Sequence, residues 1–245
     1  MATLGEATSD RLCVALDSPD PERCLVLASA VAPYASVLKV GLTAFAAGGP
    51  NLVTRVARLR PIFLDLKLHD IPAQISGAVR AGRSLGASFM TVHASGGAEM
   101  IRAAVSAAGD EVAVLAVTVL TSLGERDLTD TGVIGDMPSQ VSRLASLAVH
   151  AGAHGLVCSP LEVETLRHRF GARDQGGPFL VVPGVRDADA KGDQQRVGPA
   201  GRAVALGADL VVVGRPITSK ADPRAAAERV AQELSEAAGS IATNP

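Results

Sequence analysis

The stretch Ile62-Phe63-Leu64-Asp65-Leu66-Lys67-Leu68-His69-Asp70 sets charged residues inside an apolar run. Strand side chains alternate between faces. Asp65 and Lys67 therefore share one face, and Leu64, Leu66 and Leu68 share the other. If the leucines pack against helices, the charges point into the mouth of an enclosed sheet. The residues that follow, Ile71 to Leu85, read as a helix, so the stretch opens a strand–helix unit.

That unit recurs. Apolar, β-branched runs lie at Leu12 to Leu16, Val37 to Val40, Ile62 to Leu66, Phe89 to Val92, Val112 to Val119, Gly155 to Cys158, Phe179 to Val182 and Leu210 to Val213. Helical stretches follow them, most clearly at Pro21 to Val31, Ile71 to Leu85, Gly97 to Ala107, Pro138 to His150, Pro199 to Leu206 and Asp222 to Ala238, where alanine dominates. Near-continuous apolar strands indicate a parallel sheet covered on both faces. Eight units in 245 residues is about 31 residues each, the size of a βαβ repeat and of a (β/α)8 barrel. A doubly wound open sheet is the rival architecture. No two glycines lie two residues apart, which excludes the G-x-G-x-x-G fingerprint, and no lysine follows a glycine, which excludes a Walker A loop. No linker or composition break divides the chain. We therefore expect one α/β barrel domain over residues 1–245, with flexible ends at 1–10 and 239–245.

The composition narrows the function. The chain is 47% hydrophobic with a formal charge of −2, so it lacks the basic balance of a nucleic-acid or membrane-surface binder. With no Trp, one Tyr and five Phe, it has little from which to build base-stacking platforms. Cys13, Cys24 and Cys158 are widely spaced, which fits buried reduced thiols rather than a zinc site or a disulfide scaffold. The first ten residues do not read as a signal peptide, and no apolar run approaches the roughly 18 residues of a membrane span. A cytoplasmic protein is expected.

Lysine occurs at only four positions, 39, 67, 191 and 220, against 19 arginines, yet Lys39 and Lys67 both sit inside apolar strands. Asp17 ends the first strand, Lys39 the second, Asp65 and Lys67 the third and His93 the fourth, while Asp70 lies past its strand end and can reach back. Catalytic groups of a (β/α)8 barrel belong at this C-terminal rim. A lone buried lysine loses its proton through desolvation, and flanking carboxylates keep it charged. Unit charges about 4 Å apart interact by roughly 4 kcal/mol at an effective dielectric near 20. Such an array suits stabilisation of a developing carbanion followed by proton donation. A structural ion-pair network is the alternative reading of the same residues.

A second signal lies after strands seven and eight, where such barrels commonly hold phosphate. Val182-Pro183-Gly184 and Gly214-Arg215 occupy these ends, and a glycine with an arginine can cradle and clamp an anion. Two long polar loops, Thr121 to Met137 and Gly184 to Val197, read as lids. His93 reads as a hydrogen-bonded structural histidine, and Asp127 and Asp130 as solvated loop charges.

The set Leu16-Asp17, Leu38-Lys39-Val40-Gly41, Asp65 to Pro72, Val92-His93-Ala94, Thr118 to Ser122, Pro183-Gly184-Val185-Arg186, Asp193-Gln194 and Gly214-Arg215-Pro216-Ile217 closely resembles the orotidine 5′-phosphate decarboxylase family, in order from about residue 11 to residue 235. The resemblance implies a (β/α)8 homodimer without metal or organic cofactor. It also implies conversion of orotidine 5′-monophosphate to uridine 5′-monophosphate and CO2, the last step of pyrimidine synthesis. Carried over by motif, Lys67 donates a proton to C6, Asp65 sits against the departing carboxylate, and Asp70 comes from the neighbouring subunit to complete the array with Lys39. Asp17 and Lys39 bind ribose hydroxyls and Thr121 contacts the pyrimidine. Arg186, Gln194, Gly214 and Arg215 hold the phosphate, and Ile71 and Gln74 are further substrate-contacting positions. Gln74 stands where the family has a threonine. The Arg186–Gln194 segment is about a residue short, which leaves Gln195 as a competitor for the Gln194 role. A metal-dependent sugar-phosphate decarboxylase or aldolase of the related barrel group, and a non-catalytic nucleotide-binding barrel, are the competing functions.

Overall fold

Alternation along the third strand sorts its side chains in the expected way. Ile62 and Leu64 are buried against the surrounding helices, with Leu66 and Leu68 partly buried in the same layer, while Phe63 lies in the barrel interior and Asp65 lines its mouth. The computed structural model describes residues 11–184, 196 and 199–242. In it β1 (Leu12–Ala15), β2 (Val37–Gly41), β3 (Ile62–Leu68), β4 (Ala87–His93), β5 (Ala113–Val117), β6 (Gly155–Val157), β7 (Phe179–Val182) and β8 (Leu210–Val213) are all parallel. They close in chain order, β8 returning to β1 through Leu12 opposite Val211.

The helices are α1 (Pro21–Val31), α2 (Leu42–Ala57), α3 (Pro72–Ser84), α4 (Ala98–Ala108), α5 (Glu125–Asp130), α6 (Met137–His150), α7 (Val163–Phe170), α8 (Ala200–Ala205), α9 (Arg215–Thr218) and α10 (Pro223–Ala242). Proline opens several of them, including α1 and α3, because its fixed φ suits the first helical turn and its missing N–H has no partner there. Asp20 and Asp136 cap α1 and α6 through their side chains. Two apolar layers result. One lies between barrel and helices. The other fills the barrel, where Phe89 stacks on Phe179 at 5.8 Å and meets Phe63 edge-on at 6.3 Å. This aromatic plug forms a floor beneath the C-terminal mouth, so the opening above it is a pocket and not a pore.

Several expectations need correction. α10 continues to Ala242, beyond the helical stretch expected to end at Ala238. β3 reaches Leu68, two residues beyond the expected Leu66. β5 stops at Val117, two residues short of Val119, where the chain leaves the sheet to line the pocket. The 121–137 loop contains α5: Asp127 is a cap, accepting from the Gly124 N–H at 2.8 Å, and Asp130 pairs with Arg126 at 3.6 Å. Helix α2 is hard to read from sequence because Gly49 at φ +55° and Pro50 interrupt it. The three cysteines are buried free thiols, as expected. No helix among the described residues is long and apolar enough to cross a membrane.

Candidate active site

Four charged side chains meet at the C-terminal ends of β1 to β3. Lys39 Nζ lies 3.0 Å from Asp17 and 3.4 Å from Asp65, and Lys67 Nζ lies 2.8 Å from Asp65. The order is Asp17–Lys39–Asp65–Lys67, alternating in sign. Exposure rises outward from its centre: the side chains of Lys39 and Asp65 are nearly buried, Lys67 is 31% exposed and Asp17 50% exposed. Gly41 makes the crossing possible. A Cβ there would sit 2.6 Å from Asp17 Oδ1 and 2.8 Å from Lys39 Nζ, inside the ion pair.

Charge compensation decides the protonation states. Burial disfavours the Asp65 carboxylate, but the ammonium groups of Lys39 and Lys67, with hydrogen bonds from Lys67 and Thr91, outweigh it and hold the carboxyl below the usual aspartate range. Burial likewise opposes the Lys39 ammonium, and Asp65 and Asp17 overcome it and raise its pKa above that of an ordinary lysine. At the other extreme, burial pushes the Cys13 thiol beneath the array far up, so it stays protonated and inert.

The array forms one wall of a cavity of about 410 Å³, within the roughly 300–1,000 Å³ of small-molecule sites. Phe63, Val117 and Val157 supply an apolar floor, Val119 to Thr121 after β5 one side, and Pro183, Gly184, Gly214 and Arg215, after β7 and β8, the side next to β1. Gly214 precedes the short helix α9, at whose first position Arg215 stands exposed. One cavity therefore offers a buried alternating charge array, an apolar middle and a glycine–arginine end.

Residues 10–230 of the chain match the Orotidine 5'-phosphate decarboxylase / HUMPS family. The chain belongs to this family. Two similar proteins bear the name orotidine 5′-phosphate decarboxylase. One, from Anaeromyxobacter dehalogenans, is 55% identical over 92% of this chain and 99% of its own length. The other, from Thermobifida fusca, is 51% identical over 94% of this chain and 97% of its own. The crystal structure of orotidine 5′-phosphate decarboxylase from Lactobacillus acidophilus superposes with a TM-score of 0.81 at 35% identity, covering 92% of this chain and 99% of that one.

Of the residues expected from the family motif, Asp17, Lys39, Asp65, Lys67, Thr121, Gly214 and Arg215 converge on the cavity. Asp70, Ile71 and Gln74 do not. They are exposed, with Ile71 at 64%, and Asp70 turns its carboxylate to the Ile71 N–H at 2.7 Å. His69, Asp70, Ile71, Pro72 and Gly96 border a separate open concavity. Arg186, Gln194 and Gln195 lie outside the described residues. The His93 ring makes a tilted contact with His69 at 5.5 Å. Burial lowers its pKa, and His69 and Lys67 lower it further.

Two features escaped the sequence reading. Thr91 on β4 is fully buried and hydrogen-bonds to Asp65 and to the backbone of Lys67. Its hydroxyl in the apolar run Phe89 to Val92 was the available signal. Arg196 pairs with Glu162 and donates to the carbonyls of Val119 and Leu120, each at 2.9 Å. It thereby fixes the wall that carries Thr121. Nothing local in sequence links Glu162 to a residue 34 positions away.

Proposed function

We propose that this chain decarboxylates orotidine 5′-monophosphate to uridine 5′-monophosphate and CO2, the closing step of pyrimidine nucleotide synthesis, without metal or organic cofactor. The observation that carries this reading is the alternating Asp17–Lys39–Asp65–Lys67 array in one cavity with Arg215. The bond between C6 of the pyrimidine and its carboxylate breaks, CO2 departs, and the bonding electron pair stays on C6. The Lys67 ammonium faces that charge, gives C6 its proton and recovers one from solvent. Asp65 holds Lys67 by both carboxylate oxygens, at 2.8 and 2.9 Å, so the acid is aimed before substrate arrives. Asp17 and Lys39 address the ribose, Thr121 the pyrimidine, and Gly214 with Arg215 the phosphate, joined by Arg186 and Gln194.

The working form in this reading is a cytoplasmic homodimer in which Asp70, Ile71 and Gln74 of one subunit complete the neighbour's site. Their exposure, outside their own cavity, supports it, and the free thiols fit a reducing compartment. The test is turnover of orotidine 5′-monophosphate, followed by pyrimidine absorbance, after chelator treatment and with or without added magnesium. Full activity in both arms is expected. No turnover would overturn the assignment, and activity that returns only with magnesium would favour the sugar-phosphate rival.

A further inference from the structure

Thr91 stands between the two central groups of the array. Its hydroxyl donates to Asp65 Oδ1 at 3.0 Å, and the hydroxyl oxygen itself, Thr91 Oγ1, accepts the backbone N–H of Lys67 at 2.9 Å. Lys67 Nζ returns to Asp65 at 2.8 and 2.9 Å. The contacts close a ring: Thr91 hydroxyl, Asp65 carboxylate, Lys67 ammonium, Lys67 backbone.

The backbone explains why the ring is needed. Lys67 has φ +50° and is the one non-glycine residue with positive φ among the described residues. That left-handed conformation costs roughly 1–2 kcal/mol in a residue with a Cβ and persists only where surroundings over-determine it. The strand pairing shows the same disturbance. Leu64 lies opposite Met90, but the next pair is Leu68 opposite Val92, so β3 carries two more residues than β4 over this span. A bulge of this kind breaks the ladder and re-aims side chains, and the Lys67 N–H must find another acceptor. Thr91 supplies it. The bulge also throws the lysine side chain back over Asp65, where a regular strand would carry it onward.

We propose that Thr91 is a positioning residue for the decarboxylation assigned above, its one hydroxyl holding both the carboxylate that orients Lys67 and the strained backbone that aims it. The proposal rests on the decarboxylase reading. Thr91 lies beneath the array and does not line the cavity. Its loss should therefore lower kcat while leaving substrate binding nearly intact.

The experiment compares wild type, Thr91→Val, Thr91→Cys and Thr91→Ser, each checked for folding by circular dichroism and assayed with orotidine 5′-monophosphate. Valine keeps the shape and removes the hydroxyl, cysteine offers a poor hydrogen-bonding group, and serine keeps the oxygen without the methyl. Thr91→Val and Thr91→Cys should lose about 10- to 100-fold in kcat with KM within about threefold, since a buried carboxylate and a buried N–H each lose a partner. Thr91→Ser should stay within about threefold of wild type in kcat. The inference is overturned if folded Thr91→Val or Thr91→Cys keeps wild-type kcat, or if Thr91→Ser is as damaged as Thr91→Cys. Should Thr91→Val fail to fold, the Cys–Ser contrast decides alone. A wild type that does not turn over the nucleotide refutes the function itself and is thereby distinguished from failure of the Thr91 assignment.

Discussion

Two halves of one short segment meet opposite fates. Asp65 to Lys67 are drawn inward, tied to Lys39 and Thr91 and nearly closed from solvent at Asp65. Asp70 to Gln74, beginning three residues later, lie fully on the surface with a large apolar side chain, Ile71, exposed among them. The inner half is complete within the chain: every charge has an opposite within 3.4 Å. The outer half has almost nothing of its own fold to hold. The difference teaches that a single motif can serve two places, the first in its own cavity and the second, on the proposed dimer, in another subunit's.

The largest effect should come from the inner half. Lys67→Ala removes the proton source and the counter-charge together, and turnover should fall by at least about 10³-fold in steady-state assays of folded protein. Activity within about tenfold of wild type would take the proton-donor role away from Lys67.

The outer half is tested by mixing. Lys67→Ala and Asp70→Ala proteins should each be nearly inactive. In a hybrid dimer one site receives both substitutions and the other neither. Equal mixing with free subunit exchange makes half of the dimers hybrid, so about a quarter of wild-type activity should return. No recovery after exchange is shown by native mass spectrometry would break the contrast between inner and outer halves.

Arg215 gives a smaller effect. Arg215→Ala should cost about 10²-fold in kcat/KM on orotidine 5′-monophosphate, in the range of a lost charge-assisted hydrogen bond, and little on the phosphate-free nucleoside. Equal losses on both would assign Arg215 to folding or to the base instead.

The smallest effect should be that of pH near neutrality. The Asp65 carboxyl is held below its ordinary value, so its stabilising contribution is present above the unfolded value near 3.9 and is lost as pH falls through the folded pKa. Lys39 is raised, so its contribution is present below the unfolded value near 10.4 and is lost as pH rises through its folded pKa. Between those limits Asp65 and Lys39 should stay charged. Carboxyl NMR of Asp65 is the check, and a midpoint above the ordinary aspartate value would show that burial, not the lysines, dominates.

The barrel was legible because its cause is local and repeated. Runs such as Phe179 to Val182 and Leu210 to Val213 are apolar on both faces, and helices between them leave few other ways to bury both. Charged residues inside such runs stood out for the same reason, so Asp65, Lys67 and Lys39 were readable by type and place and Arg215 by its position after the eighth strand, and the family motif extended the reading to Thr121. Helix α2 was obscured by Gly49 and Pro50, whose local signal is a break that the fold absorbs as a kink.

The amino-acid sequence by itself determined the eight-fold strand–helix alternation and the identity of the charged residues at the strand ends, because periodicity and residue type are properties of short segments. Only the tertiary structure decided how those residues use one another. Thr91 lies 24 positions from Lys67 and shares one hydroxyl between that residue's backbone and Asp65. Arg196 finds Glu162 from 34 positions away. Lys67 takes a left-handed backbone that no propensity assigns to lysine. These depend on which strands the closed sheet sets side by side and on a bulge at one of its seams, where an N–H displaced from the ladder must be satisfied by whatever side chain the neighbouring strand presents.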